Sequence, residues 1–518
     1  MTSAENQGIA PNANRLLWAG FMAILAAGVG FSIRGGILVD WARDFGFTQT
    51  ELGQITGGGL LGFGIIIIVG SLIADSVGYG KLMILAFLAH LASALLTLAA
   101  KPIFVASGKD AAYWCLYVGM FLFAIGNGIA EAVVNPLVAT LFPKNKTHYL
   151  NILQAGWPGG LIVGGLLSYL MVGKVPWVIQ MSLFMIPVII YGVMCMGQNF
   201  PKSEASSHGV TFGQMLTEFA SPILLFLLLI HAMVGYVELG TDSWIAKITG
   251  SVLGTGQEGR QLGLLLFVYT SGLMFALRFF AGPIVHKISP LGLLFVSSIS
   301  AAIGLYLLGS VSGAFLMVVA ATVYGIGKTF FWPTMLGVVS ERFPKGGAIT
   351  IGAIGGVGML SAGLLGGPGI GFKQDYFASG QLEQQAPETY ERYAAEGENR
   401  FLAWEVRGLD GAKVGVLDDN AAELMLADEL LTESGETDQS HDRLMDWWQV
   451  TGAPAAETDA APVREASLYG GRRALQLTAL VPVTMAICYL LLILYFKSKG
   501  GYAAVHIEGT GEEAKEVE

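Results

Sequence analysis

One carboxylate lies inside a long apolar run. Glu131 belongs to a stretch that begins at Ala124 and has no lysine or arginine before Lys144. If the stretch is a membrane helix that ends near Pro143, the carboxylate lies about 18 Å inside the bilayer, at a rise of about 1.5 Å per residue. That depth is close to the middle of the hydrocarbon layer, where charged residues usually face a wet cavity. We therefore expect Glu131 to bind a solute or a proton.

Two amide side chains accompany this carboxylate. Asn135 follows one helical turn later on the same face, and Pro136 frees a backbone carbonyl beside it. After a short basic turn the chain re-enters the apolar phase with Gln154. The alternative interpretation is a polar cluster that only holds two membrane helices together.

Other ionisable residues in apolar segments also need partners. Arg34 could oppose Glu131, or its guanidinium could extend to the outer interface. Glu238 and Asp242 lie four residues apart with Gly240 between them, which suits the binding of hydroxyl groups or of a cation. The alternative is a charged cluster at the outer rim of the membrane.

A third group of residues follows Gly327. Lys328 could pair with one of the two carboxylates just described, and the ring of Trp332 could stack on the apolar face of a sugar. The alternatives are a structural ion pair and a packing tryptophan. Gly327-Lys328-Thr329 is similar to the end of a phosphate-binding loop, but Thr322 occupies the position of the first glycine and no strand precedes it. ATP hydrolysis is not supported.

The composition predicts elements that would position these residues. Hydrophobic residues make up 53% of the chain and charged residues 13%, and the mean hydropathy is +0.59, which indicates a membrane protein with many spans. Twelve apolar segments are long enough to cross a bilayer. They lie near residues 16–39, 52–74, 82–100, 113–141, 149–172, 176–196, 223–246, 261–285, 291–309, 313–340, 347–371 and 474–496.

The two sets of six segments predict two halves. Short loops with more lysine and arginine alternate with poorer ones, which predicts that both termini lie in the cytoplasm. We expect a multi-pass protein of the cell membrane. Its predicted parts are an N-terminal half (1–196), a cytoplasmic linker (197–221), helices 7–11 (222–371), an acidic extracytoplasmic insertion (372–471), helix 12 (472–496) and a cytoplasmic tail (497–518).

An internal repeat supports this division. Gly126-Asn127 precedes Pro143 of one Phe-Pro-Lys turn by 17 residues, and Gly327-Lys328 precedes Pro344 of a second such turn by the same number. A shift of about 200 residues therefore maps helices 4 and 5 onto helices 10 and 11. Two related six-helix halves are typical of transporters whose site lies between the halves near the midplane.

The insertion differs from the rest of the chain. It holds 21 of the 39 acidic residues, and amphipathic pieces at 421–431 and 443–450 with Trp447 and Trp448 predict short helices in a small outer cap. A disordered acidic loop is the alternative. No nucleic-acid surface, metal site or cofactor is predicted, and Cys115, Cys195 and Cys488 all fall in apolar runs, so no disulfide framework is implied. We expect the first apolar run to be retained as helix 1.

Two loops carry a recognisable motif. The loop after helix 2 runs from Ser71 through Asp75 and Gly78 to Lys81, and this resembles a loop motif of the major facilitator superfamily. The second copy, after helix 8, begins at Arg278 and has His286 in the position of the aspartate. The small residues should let helices 2 and 11, and 8 and 5, approach closely. The resemblance implies a gate of Asp75, Arg278 and His286 at the inner mouth; simple turns with basic topology anchors are the alternative.

The stretch around Glu131 also resembles the fucose/glucose–galactose permeases of that superfamily, which are sugar:cation symporters. The shared pattern is Glu131, three residues, Asn135-Pro136, and then Leu150-Asn151 followed by Gln154. The resemblance implies that Glu131 takes part in proton-coupled sugar binding. Trp157 occupies the position of a site asparagine of the family, and Ile37 that of a helix 1 aspartate.

We therefore expect an all-α membrane protein with the major facilitator fold, twelve helices and a small, mainly helical insertion between helices 11 and 12. The predicted activity is not enzymatic: it is symport of a monosaccharide or similar polyhydroxylated solute with a cation, H⁺ rather than Na⁺. Transport of an anionic solute such as a sugar acid, or a sensor that does not transport, are the alternatives. The expected partners are the solute, the coupling cation and the lipid bilayer, for a monomer without cofactors.

Overall fold

The computed structural model describes residues 10–45, 49–171, 175–434, 439–505 and 507. Within these residues the N-terminal half is a series of spanning helices, with one short helix, Leu38–Phe45, after the first. They are helix 1 (Ala13–Gly36), helix 2 (Gln49–Val77), helix 3 (Tyr79–Ser107), helix 4 (Lys109–Leu141), helix 5 (Lys146–Gln154 and Gly156–Met171) and helix 6 (Trp177–Leu183 and Met185–Cys195).

The linker to the second half has the short helices Glu204–Ser207 and Phe212–Thr217 and a 3₁₀ turn, Glu218–Ala220. The C-terminal half then repeats the pattern of spanning helices, several of them broken. They are helix 7 (Pro222–Gly235, a π turn Tyr236–Gly240, and Thr241–Leu253), helix 8 (Gly256–Arg278), helix 9 (Ala281–Leu308), helix 10 (Ala314–Lys328 and Phe331–Arg342), helix 11 (a 3₁₀ turn Pro344–Gly346, Gly347–Ser361, a π turn Ala362–Gly366, and Gly367–Gln385) and helix 12 (Ala453–Thr478 and Leu480–Ser498).

Eleven helical stretches of the described chain are long and apolar enough to cross a membrane, and Leu61–Val77 within helix 2 is a shorter apolar stretch. This confirms an all-α membrane architecture and agrees with the twelve predicted segments. We call the face that carries the two Phe-Pro-Lys turns (142–144 and 343–345) the FPK side, and the opposite face the cap side. Both ends of the described chain lie on the FPK side, since Asn12 bonds Gln198 and the amide of Val505 donates to the carbonyl of Glu341.

Close helix pairs occupy equivalent places in the two halves. Helix 1 packs on helix 5 at Gly28, where an added Cβ would lie 2.5 Å from the carbonyl oxygen of Trp157. Helix 7 packs on helix 11 at Gly235, where an added Cβ would lie 1.9 Å from the carbonyl oxygen of Gly358. Small residues allow membrane helices to approach this closely. The predicted repeat is therefore also a repeat of packing.

Helix 8 extends beyond the segment Gly256–Arg278, because residues 281–288 belong to it rather than to helix 9. The backbone of Ser289 has φ of 66°, so the helical stretch Ala281–Leu308 consists of two helices, 281–288 and 290–308. The first of these follows a break at Phe279 and Phe280 and lies near the FPK side, where the amide of Gly282 donates to Nδ1 of His148 on helix 5. The turn between helices 8 and 9 therefore lies near Pro290, and Arg278 lies well inside the bundle rather than in that turn.

The described residues of the insertion form a cap at the ends of helices 11 and 12 that lie opposite the FPK side. It contains the helices Pro387–Tyr393, Gly411–Asp418, Ala422–Ser434 and Gln439–Trp447, a π turn Trp448–Gly452, and an antiparallel hairpin of β1 (Asn399–Phe401) and β2 (Trp404–Val406). Arg392 makes two bonds to the buried carboxylate of Asp459, of 2.6 and 2.8 Å, and this carboxylate raises the pKa of Arg392 above its ordinary value.

The cap differs from the prediction in two respects. The helices that flank it extend beyond the predicted boundaries at 371 and 472, because helix 11 continues to Gln385 and helix 12 begins at Ala453. The two extensions pack together, and an added Cβ at Gly470 would lie 2.4 Å from the carbonyl oxygen of Gln374. The extensions are polar, so hydropathy alone assigns them to the insertion. The hairpin was not predicted, since its strands have only three residues each.

Candidate functional site

Three predicted site residues meet where helices 4 and 5 pack. Asn135 donates to Oε2 of Glu131 at 2.5 Å, and the amide nitrogen of Gln154 lies 3.0 Å from the same oxygen. Gln154 also donates to Oδ1 of Asn135 at 2.9 Å. All three side chains are buried, with 8% of Glu131 exposed. In the described part of the chain, no lysine or arginine lies within ion-pair distance of Glu131.

Arg278 binds the backbone of both halves. Its Nη1 donates to the carbonyl of Gln154 on helix 5, and its Nε donates to the carbonyl of Thr329 on helix 10 at 2.9 Å. In an α-helix these carbonyls would accept from the residues four positions later, which are Pro158 and Pro333. Proline has no N–H, so both carbonyls need another donor. One guanidinium supplies it to both.

The two carboxylates of helix 7 each have a cation. Nη2 of Arg278 lies 3.1 Å from Oε1 of Glu238, and both side chains are buried. Nζ of Lys328 donates to Oδ1 of Asp242, and the lysine is fully buried. The predicted pairing of Lys328 with one of the helix 7 carboxylates is thus found with Asp242. Among the described residues of the site there are three carboxylates and two cations, and the carboxylate without a cation within ion-pair distance is Glu131.

Aromatic rings lie close to these polar groups. Trp332 is buried beside His231, with ring centroids 4.7 Å apart. Its edge fits against helix 11 because Gly358 has no side chain there; an added Cβ would lie 2.8 Å from the indole. Trp157 is half-buried and its ring lies 5.8 Å from that of Phe31 on helix 1. Both tryptophans follow a residue of the polar cluster within a few positions.

Arg34 corrects one of our expectations. Its guanidinium does not face Glu131 and does not extend to the outer interface. It is 1% exposed, donates to Oγ of Ser93 at 2.7 Å and to the carbonyl of Gly30, and lies 4.0 Å from the ring centre of Phe123. The position of Arg34 in the apolar run predicted its depth on helix 1 but not the direction of its side chain, which enters the interior of the N-terminal half.

The predicted gate residues lie in three different environments. Asp75 is beside Gly347 at the start of a helix 11 segment, where an added Cβ would be 3.5 Å from its carboxylate; a negative charge is favourable at a helix N-terminus. His286 is exposed near the FPK end of helix 8. Arg278 is not at the inner mouth, which corrects that expectation, because helix 8 continues for about ten further residues beyond it.

The contacts that close the FPK side come from other residues. Lys146 of helix 5 lies 2.6 Å from Glu204 of the linker and 3.1 Å from the carbonyl of Ser340 on helix 10. The hydroxyl of Thr147 donates to Glu341 at 2.7 Å. These bonds join the N-terminal half to the linker and to the C-terminal half, so the structure is closed on this side.

Two buried histidines were missed from the sequence. His90 bridges the hydroxyl of Tyr191 and Oδ1 of Asn127, each at 2.9 Å, and so ties helices 3, 4 and 6 together. His231 packs on Trp332. Their only signal was a titratable residue within an apolar run, the same signal that identified Glu131.

Comparison with known proteins assigns the fold. Residues 20–367 match the family model of the Major Facilitator Superfamily. No curated protein sequence matches the chain. Among solved structures, the E. coli fucose:proton symporter FucP is 17% identical and covers 68% of this chain and 91% of its own, with a TM-score of 0.55.

Two further structures show the same fold. The proton:xylose symporter XylE bound to 6-bromo-6-deoxy-D-glucose is 14% identical, covers 68% of this chain and 86% of its own, and has a TM-score of 0.56. A bacterial homologue of the human lysosomal transporter Spinster is 15% identical, covers 96% of this chain and all of its own, and has a TM-score of 0.58. The chain belongs to the Major Facilitator Superfamily, and is therefore a multi-pass membrane transporter and not an enzyme.

Proposed function

We propose that this transporter moves a neutral monosaccharide or similar polyhydroxylated solute together with a proton. One observation carries the proposal: Glu131 is the one carboxylate of the described central cluster without a cation. Glu238 and Asp242 are neutralised by Arg278 and Lys328. A buried carboxylate held only by amides can be neutralised by a proton, which makes it suited to carry the coupling ion.

The groups around Glu131 support a hydroxyl-rich solute. Asn135 and Gln154 offer both donors and acceptors, which match the hydroxyl groups of a sugar. Two aromatic rings, the half-buried Trp157 just after Gln154 and the buried Trp332 beside His231, offer apolar faces. Solved structures of the same fold include a fucose:proton and a proton:xylose symporter, which supports a solute of this class.

A coupling route follows from the contacts of Gln154. Its side chain bonds Glu131 in the N-terminal half, and its backbone carbonyl accepts from Arg278 of the C-terminal half. Loss of the proton would leave a negative charge at Glu131 near this arginine. We infer that the charge of Glu131 biases the contact between the halves, and thereby links proton release to alternating access.

The experiment is uptake by proteoliposomes with an imposed pH gradient and a panel of labelled sugars and sugar acids. Glu131→Gln keeps the size and hydrogen bonding of the side chain but removes the titrating proton. The variant should bind solute and exchange it across the membrane but lose accumulation driven by the gradient. Its solute affinity should no longer depend on pH.

Glu258→Gln, at an exposed position near the cap-side end of helix 8, is the matched control and should accumulate solute normally. Gradient-driven accumulation by Glu131→Gln at the wild-type level would refute the assignment of the coupling proton. Accumulation of sugar acids alone would refute the neutral solute. The anionic alternative drew on Arg34 and Lys328, but Lys328 is paired with Asp242 and Arg34 lies among helices 3 and 4.

The two faces of the bundle also differ in which chain segments they carry. We propose that the FPK side, which holds both ends of the described chain, faces the cytoplasm and that the cap lies outside the cell membrane. Labelling of single cysteines introduced at Lys144 on one side and at Glu423 on the other, in intact cells, tests this. Reaction of the Lys144 position alone with an impermeant reagent would contradict it.

A further inference from the structure

The carboxylate of Glu341, at the FPK end of helix 10, has a different partner on each oxygen. Oε1 accepts from the hydroxyl of Thr147, which belongs to the N-terminal half, at 2.7 Å. Oε2 accepts from the hydroxyl of Tyr502, beyond the end of helix 12, at 2.7 Å. A carboxylate that accepts from two fixed donors is restricted in its rotation. The C-terminal segment and the contact between the halves therefore share one side chain.

The segment that supplies Tyr502 is itself attached to helix 10 by further contacts. The amide of Val505 donates to the carbonyl of Glu341 at 2.8 Å, and Arg342 donates to the carbonyl of Ala503 at 2.6 Å. The Tyr502 ring also packs edge-on against Phe496 of helix 12, with centroids 5.6 Å apart. We call residues 502–505 the C-terminal strap.

The contact that the strap supports joins the two halves closely. Thr147 fits against helix 10 at Gly337, where an added Cβ would lie 2.3 Å from the threonine hydroxyl. One residue earlier, Lys146 reaches the carbonyl of Ser340. Opening of the FPK side must separate these groups, and with them the bond from Thr147 to Glu341.

We propose that the C-terminal strap positions Glu341 for its bond to Thr147 and thereby stabilises the state that is closed on the FPK side. Tyr502 is a positioning residue: it acts on the opposite half through Glu341 and does not touch it. The inference does not depend on the identity of the solute or of the coupling ion. It predicts that a change at the C-terminal end of the chain alters the balance between the two states.

The test measures the distance between spin labels on the full-length chain. The labels replace Lys144 and Lys345, which are exposed in the two Phe-Pro-Lys turns, and the native cysteines are changed to alanine (Cys115, Cys195 and Cys488). Without solute, Tyr502→Phe should raise the ratio of long to short distances by roughly three- to tenfold, the effect of about one ordinary hydrogen bond, because Tyr502 acts on the opposite half only through Glu341. Tyr495→Phe, at an exposed position on helix 12, is the matched control and should leave the ratio unchanged.

A double variant separates positioning from a merely structural role. Thr147→Val removes the bond to Glu341 directly and should shift the distances as well. If Tyr502 acts through Glu341, Tyr502→Phe should add little to the effect of Thr147→Val. Arg342→Gln, which releases the strap at Ala503, should shift the distances in the same direction even if Tyr502→Phe folds poorly.

Two results would overturn the proposal. In the first, Tyr502→Phe and Arg342→Gln give the same distances as Tyr495→Phe. In the second, the effects of Tyr502→Phe and Thr147→Val multiply in the double variant. Neither result bears on the assignment of the proton to Glu131, because the distances are measured without solute and without a gradient.

Discussion

In the N-terminal half the buried carboxylate of Glu131 is held by two amide side chains, whereas in the C-terminal half Glu238 and Asp242 each face a cation. Amides stabilise a carboxylate through hydrogen bonds without neutralising it, while a lysine or arginine does both. The C-terminal half therefore holds its charges fixed, and the N-terminal half has one that can be removed by a proton. The repeat therefore extends to the helices and their packing but not to the pairing of buried carboxylates with cations.

The largest effect should come from Arg278, on which the C-terminal arrangement depends. Arg278→Ala would leave Glu238 buried without its cation and two carbonyls without a donor. Breaking a buried pair in this way costs about 3–5 kcal/mol. We expect a corresponding fall in the free energy of unfolding, measured by tryptophan fluorescence in detergent micelles. Arg260→Ala, which loses an exposed pair with Glu423, should change it by less than about 1 kcal/mol. Equal stability of the two variants would show that the buried pair of Arg278 and Glu238 does not hold the C-terminal half together.

The next effect separates the two kinds of carboxylate directly. Glu238→Gln leaves Arg278 with a neutral partner and should cost about 1.5–3 kcal/mol, since hydrogen bonds to charged groups are worth that much. Glu131→Gln leaves no cation without a partner and should change the free energy of unfolding by less than about 1 kcal/mol. The same unfolding measurement decides between them. If both variants lose the same stability, Glu131 is not different in kind from Glu238.

A smaller effect concerns the contact between the halves. Gly337→Ala would place a Cβ 2.3 Å from the hydroxyl of Thr147, and overpacking of this sort costs about 1–3 kcal/mol. We expect it to open the FPK side, measured by the same label distances, without altering proton coupling. Thr147→Ala in the same chain removes the hydroxyl that the Cβ meets but also its bond to Glu341, so it should reverse only part of the opening. Gly272→Ala, where the Cβ would meet open space, is the control; a similar opening there would exclude the steric explanation.

The smallest effect on transport should come from an ion pair in the cap, outside the helix bundle. Arg392→Ala removes the partner of the buried Asp459 and should destabilise the cap by about 1–3 kcal/mol, less than a fully buried pair because Arg392 is partly exposed. Limited proteolysis should then cut the cap faster while solute uptake stays near normal. A loss of uptake as large as that of Glu131→Gln would show that the cap takes part in transport itself.

Local spacing was enough to predict the cluster in the N-terminal half. Glu131 and Asn135 are one turn apart on a single helix, and Gln154 follows after a short turn, so their proximity needs little knowledge of the fold. The pair of Lys328 with a helix 7 carboxylate was also predictable, because few charged residues share that depth. Hydropathy located the spans to within a few residues over most of the chain.

The rest depended on information that spacing does not contain. The direction of Arg34 is set by how helix 1 rotates against helices 3 and 4, and a single sequence does not fix that rotation. Arg278 was assigned to a gate because its motif lies near a turn, but the backbone of Ser289 shows that the turn comes later. The extensions of helices 11 and 12 are polar, and the hydropathy scale that found the spans excluded them.

The two prolines whose missing N–H groups leave carbonyls for Arg278 have an evolutionary consequence. Pro158 is on helix 5 of the N-terminal half and Pro333 is on helix 10 of the C-terminal half, so they are far apart in the sequence. Each nevertheless gives the same guanidinium a backbone acceptor. If the arginine were replaced, both prolines would lose their compensation at once. Among homologues we therefore expect these three positions to change together, as one inherited unit, even where the solute-facing residues diverge.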